Sequence, residues 1–219
     1  MALTGLFLIT FLVIHVGINS CIFNDLSFFD PSDNGKMFNK AAHFMGASFV
    51  IRIIEVGLFI GFIIHIIQGY VLEARNLSRR GTGYKVKMGS RGSTWYSKSM
   101  GLLGTLLLIF LVIHVSHFWV PSRVTGNLSP VQYGEMETHN LFARMVQVFQ
   151  NPWIVGLYIL GCISLAWHLL HGFQSAFRTL GLHNLRYIGL IKGFGAFFSI
   201  FVPLLFALMP VSMHFGWIG

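Results

Sequence analysis

Four histidines lie inside long apolar stretches of this sequence, where a polar ring has no water to bond. They are His15, His65, His114 and His168. A histidine within a membrane span must find a partner, so it is by default a candidate functional residue. Neutral imidazole is also a common axial ligand of haem iron. The four histidines are therefore candidate ligands of metal centres inside a membrane.

The composition places these residues in a bilayer. The chain has 219 residues, of which 54% are hydrophobic and 10% are charged, whereas a soluble domain carries about 25% charged residues. A span needs about 20 mostly apolar residues, and five segments qualify, at about 3–24, 47–72, 100–120, 153–176 and 190–212. The first is interpreted as a span and not as a signal peptide, because no Lys or Arg precedes it. We expect an all-α membrane protein, with residues 1–219 forming one domain of five transmembrane helices in a bundle.

The basic residues predict the orientation of the spans. Ten fall on one side, namely Arg75, Arg79, Arg80, Lys85, Lys87, Arg91, Lys98, Arg178, Arg186 and Lys192. Five fall on the other, namely Lys36, Lys40, Arg52, Arg123 and Arg144. Because cytoplasmic loops carry an excess of Lys and Arg, the side with ten is predicted to be cytoplasmic. The N-terminus then lies inside and the C-terminus outside, and the net charge of +8 does not indicate a nucleic-acid partner.

Depth along the spans sorts the four histidines into two pairs. A helix rises about 1.5 Å per residue, so a position in a span gives a depth in the bilayer. His15 and His114 fall in the outer leaflet, and His65 and His168 fall in the inner leaflet. Each pair draws on two different helices, as two axial ligands of one iron require. The pattern predicts two b haems, held without covalent attachment because the two cysteines give no CxxCH spacing.

Glycines in the same spans support this interpretation, because small residues let helix backbones approach a flat macrocycle. They are Gly17, Gly69, Gly104 and Gly172. His65 and His168 are each followed by glycine four residues later. His117 and His171 lie three residues after predicted ligands and are alternatives to them. His168 is preferred over His171 because of the repeated glycine spacing, and polar support for a haem propionate or for packing is expected of His117 and His171.

The remaining histidines fall in loops or near the ends of spans, where interfacial polar residues are common. They are His43, His139, His183 and His214.

The order and spacing of these motifs resemble the di-haem cytochrome b membrane subunit of succinate:quinone oxidoreductases. The similarity is to the single-subunit, five-helix type, the cytochrome b558 branch, and it covers essentially the whole chain. The motifs are Thr4-Gly5-Leu6-Phe7 ahead of His15, Phe62-Ile63-Ile64-His65 followed by Gly69, Gly104 ten residues before His114, His168 followed by Gly172-Phe173 and Gly181, and Ala41-Ala42-His43-Phe44-Met45.

The resemblance implies a function as the membrane anchor of succinate dehydrogenase or fumarate reductase, enzymes of the tricarboxylic acid cycle and of anaerobic respiration, in a bacterial cytoplasmic membrane. A flavoprotein subunit and an iron–sulfur subunit would dock on the cytoplasmic side. The dicarboxylate chemistry belongs to the flavoprotein, so no catalytic residue is expected in this chain. Electrons would pass from the iron–sulfur subunit to the inner haem (His65 and His168), then to the outer haem (His15 and His114), and reduce a membrane quinone, with menaquinone favoured.

Three residues near the outer end of the second span are candidates for contact with quinone, namely His43, Arg52 and Glu55. Arg52 and Glu55 lie within one helical turn and are expected to neutralise each other. Some members of the family that use menaquinone carry a glutamate two residues before the fourth ligand. Ala166 stands at that position here, which argues against a proton route through it.

Two other classes remain as alternatives. One is the cytochrome b anchor of a nitrate reductase, formate dehydrogenase or hydrogenase, whose ligand placement fits less well. The other is a transporter or metal channel that uses the histidines for ion passage. A transporter would carry more intramembrane acids and broken helices, whereas Glu55 is the one acid placed well inside a predicted span.

Overall fold

The computed structural model describes residues 1–80, 99–182, 184 and 186–219. Lys85, Lys87, Arg91, Lys98 and His183 lie outside the described residues. The helices are α1 (Ala2–Asn19), α2 (Lys36–Ala47), α3 (Phe49–Arg80), α4 (Met100–His114), α5 (Val120–Arg123), α6 (Leu141–Phe149), α7 (Pro152–Thr179) and α8 (Ile188–His214). A 3-10 turn (Ser20–Asp25) extends α1, and a π-helical turn (Val115–Trp119) joins α4 to α5. Strands β1 (Pro130–Tyr133) and β2 (Met136–His139) form an antiparallel hairpin.

Five helical runs are long and apolar enough to cross a membrane, which confirms the predicted all-α membrane architecture. They are Ala2–Asp25, Phe49–Ser78, Met100–Arg123, Pro152–Thr179 and Ile188–His214. The predicted spans match these runs, with the second extending further at its C-terminal end. Pro203 and Pro210 both lie inside α8, which continues past them to His214.

The core of the bundle is built around α7. This helix packs most extensively along α8 and also contacts α4 and α1. Its contact with α8 is close: a Cβ added at Gly195 would lie 2.5 Å from the ring of Phe173. Glycine at that position therefore lets an aromatic ring of α7 rest directly on the backbone of α8.

Helix α3 is attached to the bundle differently. It contacts α1 and α4, yet within the described part of the chain 0% of its apolar stretch is buried, against 33% for α7 and 39% for α8. Polar side chains supply much of its attachment, for example the hydrogen bond of 2.9 Å between the hydroxyls of Tyr70 and Thr105 on α4. In lipid, hydrogen bonds between helices contribute about 1 kcal/mol each. The helix is thus held by a few directional contacts while most of its surface faces the bilayer.

A small cap, formed by α2, the β-hairpin and α6, covers one end of the bundle. The polar sequence of residues 25–40, with Pro31 and the Asp33-Asn34-Gly35 turn, predicts a loop, but α2 begins within it at Lys36. The sequence does not predict the β-hairpin. It predicts a surface helix at about 138–149, which begins at Leu141, where the side chain of Asn140 accepts from the backbone N–H of Ala143. A capping interaction of this kind satisfies a backbone donor that the helix leaves free.

The centre of this cap is Asn39, whose side chain is fully buried. Its Nδ2 donates to the hydroxyl of Tyr133 at 2.9 Å and to Oδ1 of Asn140 at 3.0 Å, and its Oδ1 accepts from the backbone N–H of Phe142 at 3.0 Å. One amide therefore joins α2, the hairpin and α6. The cap is an ordered structure at the end of the bundle opposite the N-terminus.

Candidate haem centres

The rings of the four membrane histidines meet in two pairs. His15 on α1 faces His114 at the end of α4, with ring centres 5.8 Å apart and planes at 90°. His65 on α3 faces His168 on α7, with ring centres 6.2 Å apart and planes at 64°. These are the pairs that depth along the spans predicts. In both, the two rings come from different helices.

The ring separations suit a shared metal ion. A metal–imidazole bond is about 2 Å long, so two imidazoles on opposite sides of one metal have ring centres about 6 Å apart. Each pair supplies two nitrogen ligands, the number that a six-coordinate haem iron takes from protein. Among the described residues, no cluster of three or more His, Cys, Asp or Glu side chains is placed to hold a metal ion.

The two pairs lie at different depths. His65 contacts Thr4 in the first turn of α1, whereas His15 lies eleven residues further along the same helix. Eleven residues of helix span about 16 Å. One pair is therefore near the end of the bundle that carries the N-terminus, and the other is nearer the cap.

The second ring nitrogen of each histidine has a different environment. Nδ1 of His65 lies 3.1 Å from the hydroxyl oxygen of Thr4. Nδ2 of Asn19 lies 3.3 Å from Nδ1 of His15 and donates at 2.8 Å to the backbone carbonyl of the same histidine. Nδ1 of His114 and Nδ1 of His168 are buried and have no hydrogen-bond partner within the described residues. Buried polar atoms without partners are rare, and each requires an explanation such as a bound group.

The glycines near the pairs leave open space. A Cβ added at Gly17, Gly104 or Gly172 would meet no atom of the described structure within 4 Å. The fourth predicted glycine, Gly69, differs, because the end of the Met1 side chain lies 3.5 Å from where its Cβ would be. Three of these glycines therefore offer no steric obstacle to a bound group, and the ring spacing and the donor types are what fit a haem between the paired rings.

Phenylalanine rings orient the pair nearer the cap. Phe11 stacks on His15 with ring centres 5.1 Å apart, and Phe110 stacks on His114 with ring centres 5.6 Å apart. Each phenylalanine precedes its histidine by four residues, which places both rings on one face of the helix. From the sequence, the scattered phenylalanines are expected to face lipid or to pack in the core, although the repeated spacing of four residues was readable. Phe110 is fixed in turn by Gly161, where an added Cβ would lie 2.5 Å from the phenylalanine ring.

The π-helical turn directly after His114 positions His117. Nδ1 of His117 lies 3.0 Å from the hydroxyl of Tyr158, with the two rings nearly parallel, and its backbone carbonyl accepts from Nε of Arg144 at 3.2 Å. Tyr158 is also 6.0 Å from His114, measured between ring centres. His117 therefore lies beside the pair and is engaged by Tyr158. On α7, His168 is the histidine whose ring meets His65.

Within the described part of the chain, no direct hydrogen bond or ion pair joins the three candidate quinone residues, although Arg52 and Glu55 are linked through Arg123 and the carbonyl of Gly46. Nδ1 of His43 lies 3.0 Å from the hydroxyl of Thr138 on β2. Arg52 donates from Nε to the carbonyl of Gly46 at 3.4 Å. The expected neutralisation of Glu55 by Arg52 is wrong, because Arg52 donates to the carbonyl of Gly46 near the end of α2 and Arg123 takes the place beside the carboxylate.

Glu55 takes its partners from the π-helical turn that follows α4 and from α5. Its carboxylate accepts a hydrogen bond from Nε1 of Trp119 and lies 3.7 Å from Nε of Arg123. Nη1 of Arg123 also donates to the carbonyl of Gly46 at 3.2 Å. Trp119 was missed by the sequence analysis, because the π-helical turn that directs its ring leaves no recognisable pattern.

No family model matches this chain, and no curated protein or solved structure matches it either. The resemblance drawn from the motifs therefore stays a prediction.

The contact between Phe110 and Gly161 can be tested by a pair of glycine substitutions on α7. Gly161→Ala places a methyl group against the phenylalanine ring, so we expect the free energy of unfolding to fall by about 1–3 kcal/mol. Gly156→Ala is the matched control, because Gly156 is exposed and an added Cβ there meets no described atom within 4 Å. Unfolding in mixed detergent micelles, followed by circular dichroism, gives both values. Equal stability of the two variants would contradict the close packing.

Proposed function

We propose that this chain is a di-haem cytochrome b that serves as the electron-transferring membrane anchor of a succinate:quinone oxidoreductase. The observation that carries the proposal is the pairing of four membrane histidines at two depths, with ring centres 5.8 Å and 6.2 Å apart. Two haems at two depths would divide electron transfer across the membrane into two shorter steps. The motif resemblance supplies the choice of enzyme family.

In this proposal His65 and His168 ligate the inner haem, and His15 and His114 ligate the outer haem. The haems supply one-electron redox chemistry when bound. The chain supplies neutral imidazoles from facing helices and an apolar surrounding that keeps water from the iron. Burial and hydrogen bonds to the ligands are the means by which a protein sets haem potentials.

Polar groups next to the outer pair support the same assignment. His117, Tyr158 and Arg144 lie together where α6 meets the ends of α4 and α7. A guanidinium group, a phenol and an imidazole are suitable donors to a carboxylate. We assign to these groups the support of a haem propionate, which is the role expected of His117 from the sequence. His171 has the corresponding role at the inner haem.

The distribution of basic residues indicates where the proposed partner proteins would dock. A flavoprotein and an iron–sulfur protein would dock at the end of the bundle that carries most of the basic residues. The exposed residues Arg178, Arg186 and Lys192 belong to this end. That end would face the cytoplasm of a bacterium, with the N-terminus inside and the C-terminus outside. The haem ligated by His65 and His168 is the nearer of the two to this end.

Quinone, with menaquinone favoured, would react in the membrane near the outer haem. Glu55 is a candidate quinone contact there, because it is a partly buried carboxylate whose position is fixed by Trp119 and Arg123. His43 and Arg52 remain candidates on the neighbouring surface. The ion pair of Glu55 also argues against an ion-transport function, since its charge is neutralised by a fixed arginine.

Haem content is the first test of the proposal. The purified chain should carry two b haems, and His168→Ala should reduce this to one because the inner iron loses a ligand. His171→Ala is the matched control, one turn away on the same helix, and should keep both haems. The pyridine haemochromogen assay on chain of known concentration measures the ratio. A wild-type chain without haem would end the proposal, and loss of haem only from His171→Ala would show that the wrong ligand was chosen.

The electron donor is the second test. In membranes that contain the chain with its native soluble partners, succinate should reduce both haems and fumarate should reoxidise them. Reduced-minus-oxidised spectra after addition of succinate, formate or hydrogen separate the candidate enzymes. Reduction by formate or hydrogen but not by succinate, or oxidation by nitrate alone, would instead assign the chain to the anchors of those other enzymes.

A further inference from the structure

The hydroxyl group of Thr4, in the first turn of α1, lies against the ring of His65 on α3. Three atoms surround its oxygen. The backbone carbonyl oxygen of Met1 is at 3.0 Å, Nδ1 of His65 is at 3.1 Å and Oε1 of Gln68 is at 3.4 Å. A threonine hydroxyl has one proton to donate and can also accept. The three neighbours therefore restrict how protons can be placed in this cluster.

One placement of protons in this cluster is compatible with ligation through Nε2 of His65. The Thr4 proton then goes to the carbonyl oxygen of Met1 or to Oε1 of Gln68, both of which accept. Nδ1 of His65 is then the donor, with its N–H directed at the threonine oxygen. A neutral imidazole that carries its proton on Nδ1 has a free lone pair on Nε2. The hydroxyl of Thr4 is thus placed to accept from the form of His65 that can ligate a metal through Nε2.

The surroundings of His65 make this contact important for the orientation of the ring. Few residues of α3 are buried within the described structure, so hydrogen bonding contributes to the orientation of the half-buried His65 ring. Gly5, the next residue along α1, lies beside the same ring, and a Cβ there would be at an ordinary contact distance of 3.7 Å from Cε1 of His65. The opposite ligand, His168, has a buried Nδ1 without a partner in the described chain.

We propose that Thr4 is a positioning residue for the inner centre: its hydroxyl fixes the tautomer and the ring orientation of His65, and so sets how strongly this histidine ligates iron. The inference rests on the proposed function, since it requires a haem between His65 and His168. A ligand imidazole that donates its second N–H to an acceptor is a more basic ligand. A more basic ligand stabilises the ferric state, so the hydroxyl of Thr4 keeps the potential of the inner haem low.

The test removes the hydroxyl but keeps the shape of the side chain. Thr4→Val in the haem-loaded protein should shift the midpoint potential of one haem upward and leave the other unchanged. The same haem should be lost to excess apomyoglobin faster, with a retention about 10- to 100-fold weaker. Thr4→Ser keeps the oxygen and should restore wild-type behaviour. Thr10→Val is the matched control, because the exposed Thr10 on the same helix bonds to the backbone carbonyl of Leu6 at 3.0 Å.

The outcomes separate the two levels of the proposal. A wild-type chain without haem would refute the proposed function itself. If the wild type holds two haems and Thr4→Val has the potentials and the haem retention of Thr10→Val, the role of Thr4 is refuted while the di-haem proposal stands. Equal shifts of both haems would also refute it, because the contact reaches only His65. If Thr4→Val does not accumulate, Thr4→Ala removes the same oxygen without adding a branched methyl group. The same changes in potential and in haem retention are then expected of Thr4→Ala.

Discussion

A neutral imidazole ring inside a bilayer must satisfy its nitrogens without water, and this constraint underlies the structure of the chain. A single intramembrane histidine can meet it by a hydrogen bond to a neighbouring helix. Four of them, meeting ring to ring in two pairs, present nitrogen ligands to each other across a gap that suits one metal ion. The pairs connect α1 with α4 and α3 with α7, so any group bound between the rings would also hold the bundle together.

The uneven packing of the bundle is consistent with such a role. The pair of helices α7 and α8 is closely packed, with aromatic rings resting on glycine backbone. Helix α3 is held by polar contacts at Thr4, Thr105, Trp119 and Arg123. Aromatic contacts of Phe62 with Phe11 and of Phe59 with Trp119 add to them. Between these contacts, the apolar surface of α3 is exposed. A group bound between His65 and His168 would add to the contacts that hold α3, while the rest of its apolar surface faces lipid.

The sequence was sufficient to predict the features that depend on the length of the apolar runs and on the rise of an α-helix per residue. Five spans follow from apolar runs, and the pairs His15 with His114 and His65 with His168 follow from depth, because every residue of a helix adds the same distance. It was not sufficient for α2 and the hairpin. These short elements depend on contacts between distant residues, above all the buried amide of Asn39. The partners of Glu55 were also missed, since a local π-helical turn rotates Trp119 and Arg123 towards it.

The most direct measurement is a potentiometric titration of the b-type absorption band in the wild type and in four single His→Ala variants. If each ring pair holds one haem, His15→Ala and His114→Ala remove the same one of two redox transitions, and His65→Ala and His168→Ala remove the other. Loss of different transitions by the two members of a pair, or retention of both transitions in all four variants, would contradict the pairing on which the proposed electron path depends.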